Sequence, residues 1–293
     1  MNTLRVGFLL TVLTLAFVSI GGWLGGTSGM TLAFVLAAAI NVGSYWFSDR
    51  IVLRTTGAQP LRKETAPTLH AMTLRLADRA GIPMPSLYVV PDRQPNAFAT
   101  GRNPENGVVA VTQGLLDTLS TDQVEGVIAH EIAHIKHRDT LTMTVAATLA
   151  GAIMTLINVA QWSTLFRGDG DGPGFGSLLL AGLVAPLAAG MIQMAISRSR
   201  EYEADRTAAN LAGSAQGLMG ALRSLSRASQ IVPSSRMRES TAHLAIVNPL
   251  AGNGATFARL FATHPPLSER IAALQEVEST LQRHDRGFAS MTR

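Results

Sequence analysis

The sequence predicts a mainly α-helical chain with a small β-sheet, in which multi-pass membrane helices carry a polar domain built around a metal site. Three observations predict it. Long runs without charge recur along the chain, a His-Glu-x-x-His pattern lies on a well-capped helical stretch, and short runs of β-forming residues precede that stretch. Composition agrees: 47% of the 293 residues are hydrophobic and 15% are charged, against about a quarter charged in ordinary globular domains. Mean hydropathy is +0.22.

The first charge-free run covers the 43 residues between Arg5 and Asp49. A bilayer span takes about 20 apolar residues, so the run holds two, Val6–Ile20 and Met30–Phe47, divided by the turn-forming Gly21–Gly29. A signal peptide is the alternative, but a second apolar span follows at once and no small-residue cleavage site is evident. Two more charge-free runs of 26 residues, Leu141–Phe166 and Gly172–Ser197, flank the polar turn Arg167–Asp171. Their Ala, Gly and Thr content suits close helix packing in a membrane; a buried helical hairpin is the competing reading. Arg50, Arg54, Arg62 and Lys63 follow the second span, Lys136 and Arg138 precede the third, and Arg198, Arg200 and Arg206 follow the fourth. The positive-inside rule then places every sizeable polar segment in the cytoplasm. The expected order is a transmembrane hairpin (1–50), a polar domain (51–139 and 198–283) with a second hairpin (140–197) inserted in it, and a mobile tail (284–293).

In the polar domain, Pro67 can open a helix through Leu69–Ala80 that stops at Gly81-Ile82-Pro83. Leu87–Val90, Ala97–Thr100 and Val108–Thr112 read as strands, the last two joined by the turn-rich Gly101–Gly107. Ser120 and Gln123 form a capping box that starts the next helix. There is no cysteine, which removes disulfides and thiolate metal sites. No basic stripe or stacking surface is present, so a net charge of +4 does not call for nucleic acid.

His130 and His134 stand four apart, on one helical face, where both imidazoles reach a single ion. Glu131 then lies beside the ion, placed to take a proton from water. A catalytic zinc needs a third protein ligand and an open position. His137 is too close along the same helix to serve, and Thr140 stands where a further histidine six residues after His134 would be. The better candidate is Glu201, with Asp205 four residues on and on the same face, able to accept the free N–H of a ligating histidine. Glu203 would point away, since two residues turn a helix by roughly 200°.

His130-Glu131-Ile132-Ala133-His134 followed, after a hydrophobic hairpin, by Glu201-Tyr202-Glu203-Ala204-Asp205 resembles the integral-membrane gluzincins. These include the bacterial HtpX heat-shock proteases and the CAAX-processing prenyl endopeptidases. Pro95–Ala99, Ile246–Leu250 and Thr263–Arg270 extend the likeness, which runs to about Leu274, and the size is closer to the HtpX group. The resemblance implies a gluzincin-like zinc protease domain with one Zn2+ per subunit, hydrolysing peptide bonds with Glu131 as base. It implies His264 as a donor to the oxyanion, against a packing role in a Pro-rich loop. It implies that Asn96, Ala97, Phe98 and Ala99 form an edge strand pairing with extended substrate; an ordinary core place for Phe98 is the alternative. It further implies a multi-pass inner-membrane location with the catalytic domain facing the cytoplasm. The expected role is stress-related quality control, with misfolded membrane proteins or unfolded polypeptides as substrates, and self-cleavage. A catalytically silent membrane chaperone or receptor with the same fold is the alternative, against which an intact Glu131 argues.

Overall fold

The computed structural model describes residues 2–142, 198–231 and 265–291. The charge-free N-terminus forms one long helical run, α1 (Asn2–Thr56), broken at Gly25 and Gly26, where the backbone leaves the helical region. Gly26 has φ 57, a conformation glycine adopts without steric cost. The break is narrower than the expected Gly21–Gly29 turn. Gly21 and Gly29 instead let the two arms touch: a Cβ on either would collide with the other's backbone. Further along, Asn41 Nδ2 donates across the arms to Thr14 Oγ1 at 2.9 Å. Among the described residues one helical segment, Gly25–Phe47, is long and apolar enough to cross a membrane. The runs at 143–166 and 172–197 lie outside the described residues.

After α1 come β1 (Gln59–Pro60), α2 (Pro67–Ala80), β2 (Ser86–Val90), β3 (Ala97–Thr100), a 3-10 turn (Pro104–Asn106) and β4 (Val108–Thr112). Then follow α3 (Gln113–Thr118), α4 (Thr121–Lys136), α5 (Arg198–Ala212), α6 (Gln216–Ile231) and α7 (Leu267–Met291). The four strands are ordered β1-β2-β4-β3, with β2 parallel to β4 and the other pairs antiparallel. The fold is thus mostly helical with a small sheet. The two-residue β1 was not legible, being too short to show alternation.

Local chemistry explains the ends. Pro67 occupies the first turn of α2, and Gly81, at φ 69, closes it with its N–H on Ala77 and Asp78 carbonyls. Ser120 and Gln123 cap α4 reciprocally. α4 is the central element: Val127, Ile128, Ala129 and Ile132 are fully buried between the sheet, α2 and the pair α5–α6. Gly126 admits α6 to close range, because a Cβ there would meet the backbone of Leu218. On α7, Glu278 accepts from the Ala215 N–H at 2.6 Å and from Ser214 Oγ at 3.1 Å, capping the start of α6 from another helix. α7 continues to Met291, through residues 284–291 of the segment expected to be a mobile tail. Residues 284–291 hold one Gly and no Pro, too little to end a helix.

Candidate metal centre

α4 turns His130 and His134 to one side, both nearly inaccessible to solvent, with their Nε2 atoms 3.2 Å apart. α5 crosses this face and delivers Glu201. Its Oε1 lies 3.6 Å from His134 Nε2 and its Oε2 3.9 Å from His130 Nε2. Ligand atoms about 2.0–2.1 Å from a tetrahedral ion stand roughly 3.3 Å from one another. The three side chains therefore fit one metal ion, with a single donor atom from each inside a 4.8 Å cluster. Glu203 is exposed on the far side of α5, as the helical argument required.

Behind the donors, each imidazole meets a second carboxylate. Asp205 Oδ1 is 3.0 Å from His130 Nδ1. Asp139 Oδ2 is 3.4 Å from His134 Nδ1. This leaves both Nε2 atoms facing Glu201, the arrangement that fixes tautomer and ring orientation in metal sites. Asp139 was not legible in the sequence because its position depends on a reversal after α4. Arg138 adopts φ 59, a left-handed conformation uncommon outside glycine, and the chain folds back so that Asp139 is buried beside His134. Arg200 Nη1 holds the other Asp139 oxygen at 3.3 Å. His137 turns aside, with Nε2 3.4 Å from Thr207 Oγ1.

Arg270 is the second residue the sequence did not single out, although the stretch Thr263–Arg270 carried part of the resemblance. It is the largest fully buried side chain among the described residues. Its Nε and Nη2 donate to the two Asp205 oxygens at 2.8 and 2.7 Å, and Nη1 is 3.7 Å from Glu201 Oε2. A planar guanidinium suits such a bidentate grip. His264, six residues earlier, lies outside the described residues.

Electrostatics follow burial and these pairs. Burial pushes the Glu131 carboxyl up to about 7; the charge of Glu201 adds to this, while His134 and a hydrogen bond from the Ala99 N–H oppose it. Burial would lower His134, but the Asp139 hydrogen bond and the charges of Glu201, Glu131 and Asp139 raise it to about 9. Burial lowers His130, more than Asp205 compensates. For Asp205, burial is outweighed by Arg270 and His130, which hold it at about 2. A carboxyl poised near neutrality beside two histidines can exchange a proton with water at working pH.

Asn96, Ala97, Phe98 and Ala99 are all buried. Ala97 and Ala99 belong to the hydrophobic core, and the Asn96 N–H is held by Thr112 Oγ1 at 2.9 Å. β3 is an edge strand among the described residues, packed directly against α4.

The sequence pattern of peptidase family M48 matches residues 63–278. The chain is 51% identical over 282 residues to a protease HtpX homolog of Salinibacter ruber, covering 96% of this chain and 100% of that relative. It is 49% identical over 279 residues to the homolog of Syntrophobacter fumaroxidans, with 93% and 98% covered. The homolog of Pyrococcus furiosus is 50% identical over 276 residues, with 93% and 95% covered. Among solved structures, the crystal structure of S. mikatae Ste24p is similar with a TM-score of 0.52 and 22% identity. That match covers 93% of this chain and spans 64% of the Ste24p chain, a likeness of fold. With a family match over most of its length and near-half identity to full-length proteases, the chain is a metalloendopeptidase and belongs to peptidase family M48.

Proposed function

We propose that the chain is a zinc-dependent endopeptidase held in the membrane by several helices, with its catalytic domain facing the cytoplasm. The observation that carries the metal assignment is the convergence of His130 Nε2, His134 Nε2 and Glu201 at 3.2–3.9 Å, with Glu131 buried alongside. Two neutral nitrogens and one carboxylate suit zinc with an open position. When bound, the ion supplies Lewis acidity that makes water more acidic and polarises the scissile carbonyl. Glu131 takes the proton of the attacking water and returns one to the leaving amine. Asp205 and Asp139 hold the two imidazoles in register. His264 is assigned to the oxyanion on family resemblance. The Asn96–Ala99 edge aligns extended substrate through main-chain hydrogen bonds.

Misfolded membrane proteins and unfolded polypeptides are the proposed substrates, within membrane-protein quality control, and self-cleavage belongs to the same chemistry. Arg50, Arg54, Arg62 and Lys63 after the span support the cytoplasmic orientation.

Metal analysis together with casein cleavage tests the reading. Glu131→Gln is expected to keep zinc and lose hydrolysis, and Glu201→Ala to lose both. Glu203→Ala is expected to keep both. Turnover retained by Glu131→Gln, or zinc retained by Glu201→Ala, would refute the assigned roles.

A further inference from the structure

The end of the apolar segment of α1 presents three consecutive aromatics, Tyr45, Trp46 and Phe47, which are 37%, 51% and 48% exposed. Arginines lie over two of them. Arg50 Cζ is 5.7 Å from the Phe47 ring centroid, within α1 itself. Arg102 Cζ is 4.9 Å from the Trp46 centroid, and Arg102 comes from the β3–β4 connection, far away in sequence. Arg102 Nη2 is also 3.4 Å from Asn106 Oδ1 in the same connection, so the loop itself helps to aim the guanidinium. Aromatic residues at the end of a span sit at headgroup depth. A guanidinium over such a ring gains from the cation–π contact while its remaining N–H groups face anionic headgroups.

The other end of this loop reaches the site. Two residues before Arg102 is Thr100, the last residue of β3. The Ala99 N–H is hydrogen-bonded to Glu131. Ala99 and Arg102 are three residues apart, so at most about 10 Å of chain separates them. A short, hydrogen-bonded path therefore ties the depth of the aromatic belt to the position of the Glu131 carboxylate.

We propose that the Arg102–Trp46 contact docks the β3–β4 hairpin on the headgroup layer, so that the site takes polypeptide segments directly beside a membrane span in preference to the same segments farther from it. This rests on the protease reading and on β3 as the substrate edge, and it adds a substrate class: extended juxtamembrane segments. A chain leaving the bilayer next to the belt meets the β3 edge at once. A segment held farther away must first return to the surface.

The test uses the full chain loaded with zinc in vesicles of phosphatidylcholine and phosphatidylglycerol at about three to one. One single-span substrate carries a cleavable extended segment directly after its span, and a second carries it behind a flexible Gly/Ser linker several times longer than the segment. The same segment as a free peptide is the control. The wild-type chain is expected to cleave the adjacent segment faster than the distant one. Arg102→Gln and Trp46→Ala should each shrink that ratio by roughly two- to thirtyfold, the span a cation–π contact allows, with free-peptide cleavage unchanged. Equal wild-type rates at the two positions, or a ratio preserved in both variants, would overturn the proposal. So would parallel loss of free-peptide cleavage, which would place the contact in site assembly rather than docking. A wild-type chain that cleaves none of the three, the free peptide included, would overturn the protease reading and this inference with it.

Discussion

The metal centre and the N-terminal helix place opposite kinds of atoms against opposite surroundings. At the centre, His130, Glu131, His134, Glu201, Asp205 and Arg270 are all at most 4% exposed, yet each is polar or ionisable. Along α1, Leu32, Phe34, Val35 and Val42 are apolar and 55–63% exposed. In water the second pattern would be a large sticky patch; in lipid it is simply solvated. The first is tolerable only because the buried charges have close partners. The two regions are thus fitted to different media, and a polar contact should be worth very different amounts in each.

The largest effect should come from breaking the charge pairing at the centre. Arg270→Ala leaves Asp205 and Glu201 buried without the cation that neutralises them. Removing one partner of a buried pair typically costs about 3–5 kcal/mol. Thermal unfolding of the purified variant in detergent should show that loss, and zinc occupancy should fall with it. A melting temperature equal to wild type would mean that the polar centre does not depend on its pairing.

Milder damage is expected from the carboxylates behind the histidines. Asp139→Ala should weaken zinc binding about 10–100-fold, the usual cost of losing such a partner, without unfolding the chain. Equilibrium dialysis against graded chelator reads this directly. Occupancy indistinguishable from wild type would show that the 3.4 Å Asp139–His134 approach orients nothing.

The same pair sets a pH dependence. With His134 raised to about 9, the metal-free chain carries a proton there at neutral pH, and that proton must leave before Nε2 can bind an ion. Zinc affinity should therefore rise with pH, by up to about tenfold per unit below pH 9, and flatten above it. Calorimetry in two buffers of different protonation enthalpy should detect about one proton released at pH 7.5. No release would mean that His134 is already neutral. In Asp139→Ala the release should shrink, because the strongest of the groups that raise His134 is gone while Glu201 and Glu131 remain.

What could be read in advance divides along the same line. Periodicity and spacing are local, and they gave α2, the three longer strands, the cap of α4, the His130–His134 face and the choice of Glu201 over Glu203. Asp139 and Arg270 were hidden because their roles arise from chain reversal and from packing of α7 against α5, neither of which leaves a local trace. At α1 the glycines were visible but their use was not: Gly21 and Gly29 read as turn formers, whereas the structure uses them for close approach of two helical arms. Residue type alone does not separate those uses, since both need a missing Cβ.

The smallest effect should come from the polar contact inside α1, where the comparison is tested from its other side. Asn41 Nδ2 donates to Thr14 Oγ1 at 2.9 Å, and its Oδ1 has no hydrogen-bond partner among the described residues. Replacing Asn41 by Leu removes this hydrogen bond and the longer one to the Leu10 carbonyl at 3.4 Å, and also removes that amide oxygen from the helix interface, so the effects partly offset. Polar contacts between membrane helices average about 0.6 kcal/mol, well below a buried ion pair. Asn41→Leu should thus keep zinc content and peptide cleavage, and should lower the melting temperature in detergent far less than Arg270→Ala. The two variants belong in one experiment, with the same detergent and heating rate. If Asn41→Leu destabilised as much as Arg270→Ala, the arms of α1 would be held by their polar clasp rather than by lipid and close backbone packing. The contrast between the two regions would then fail.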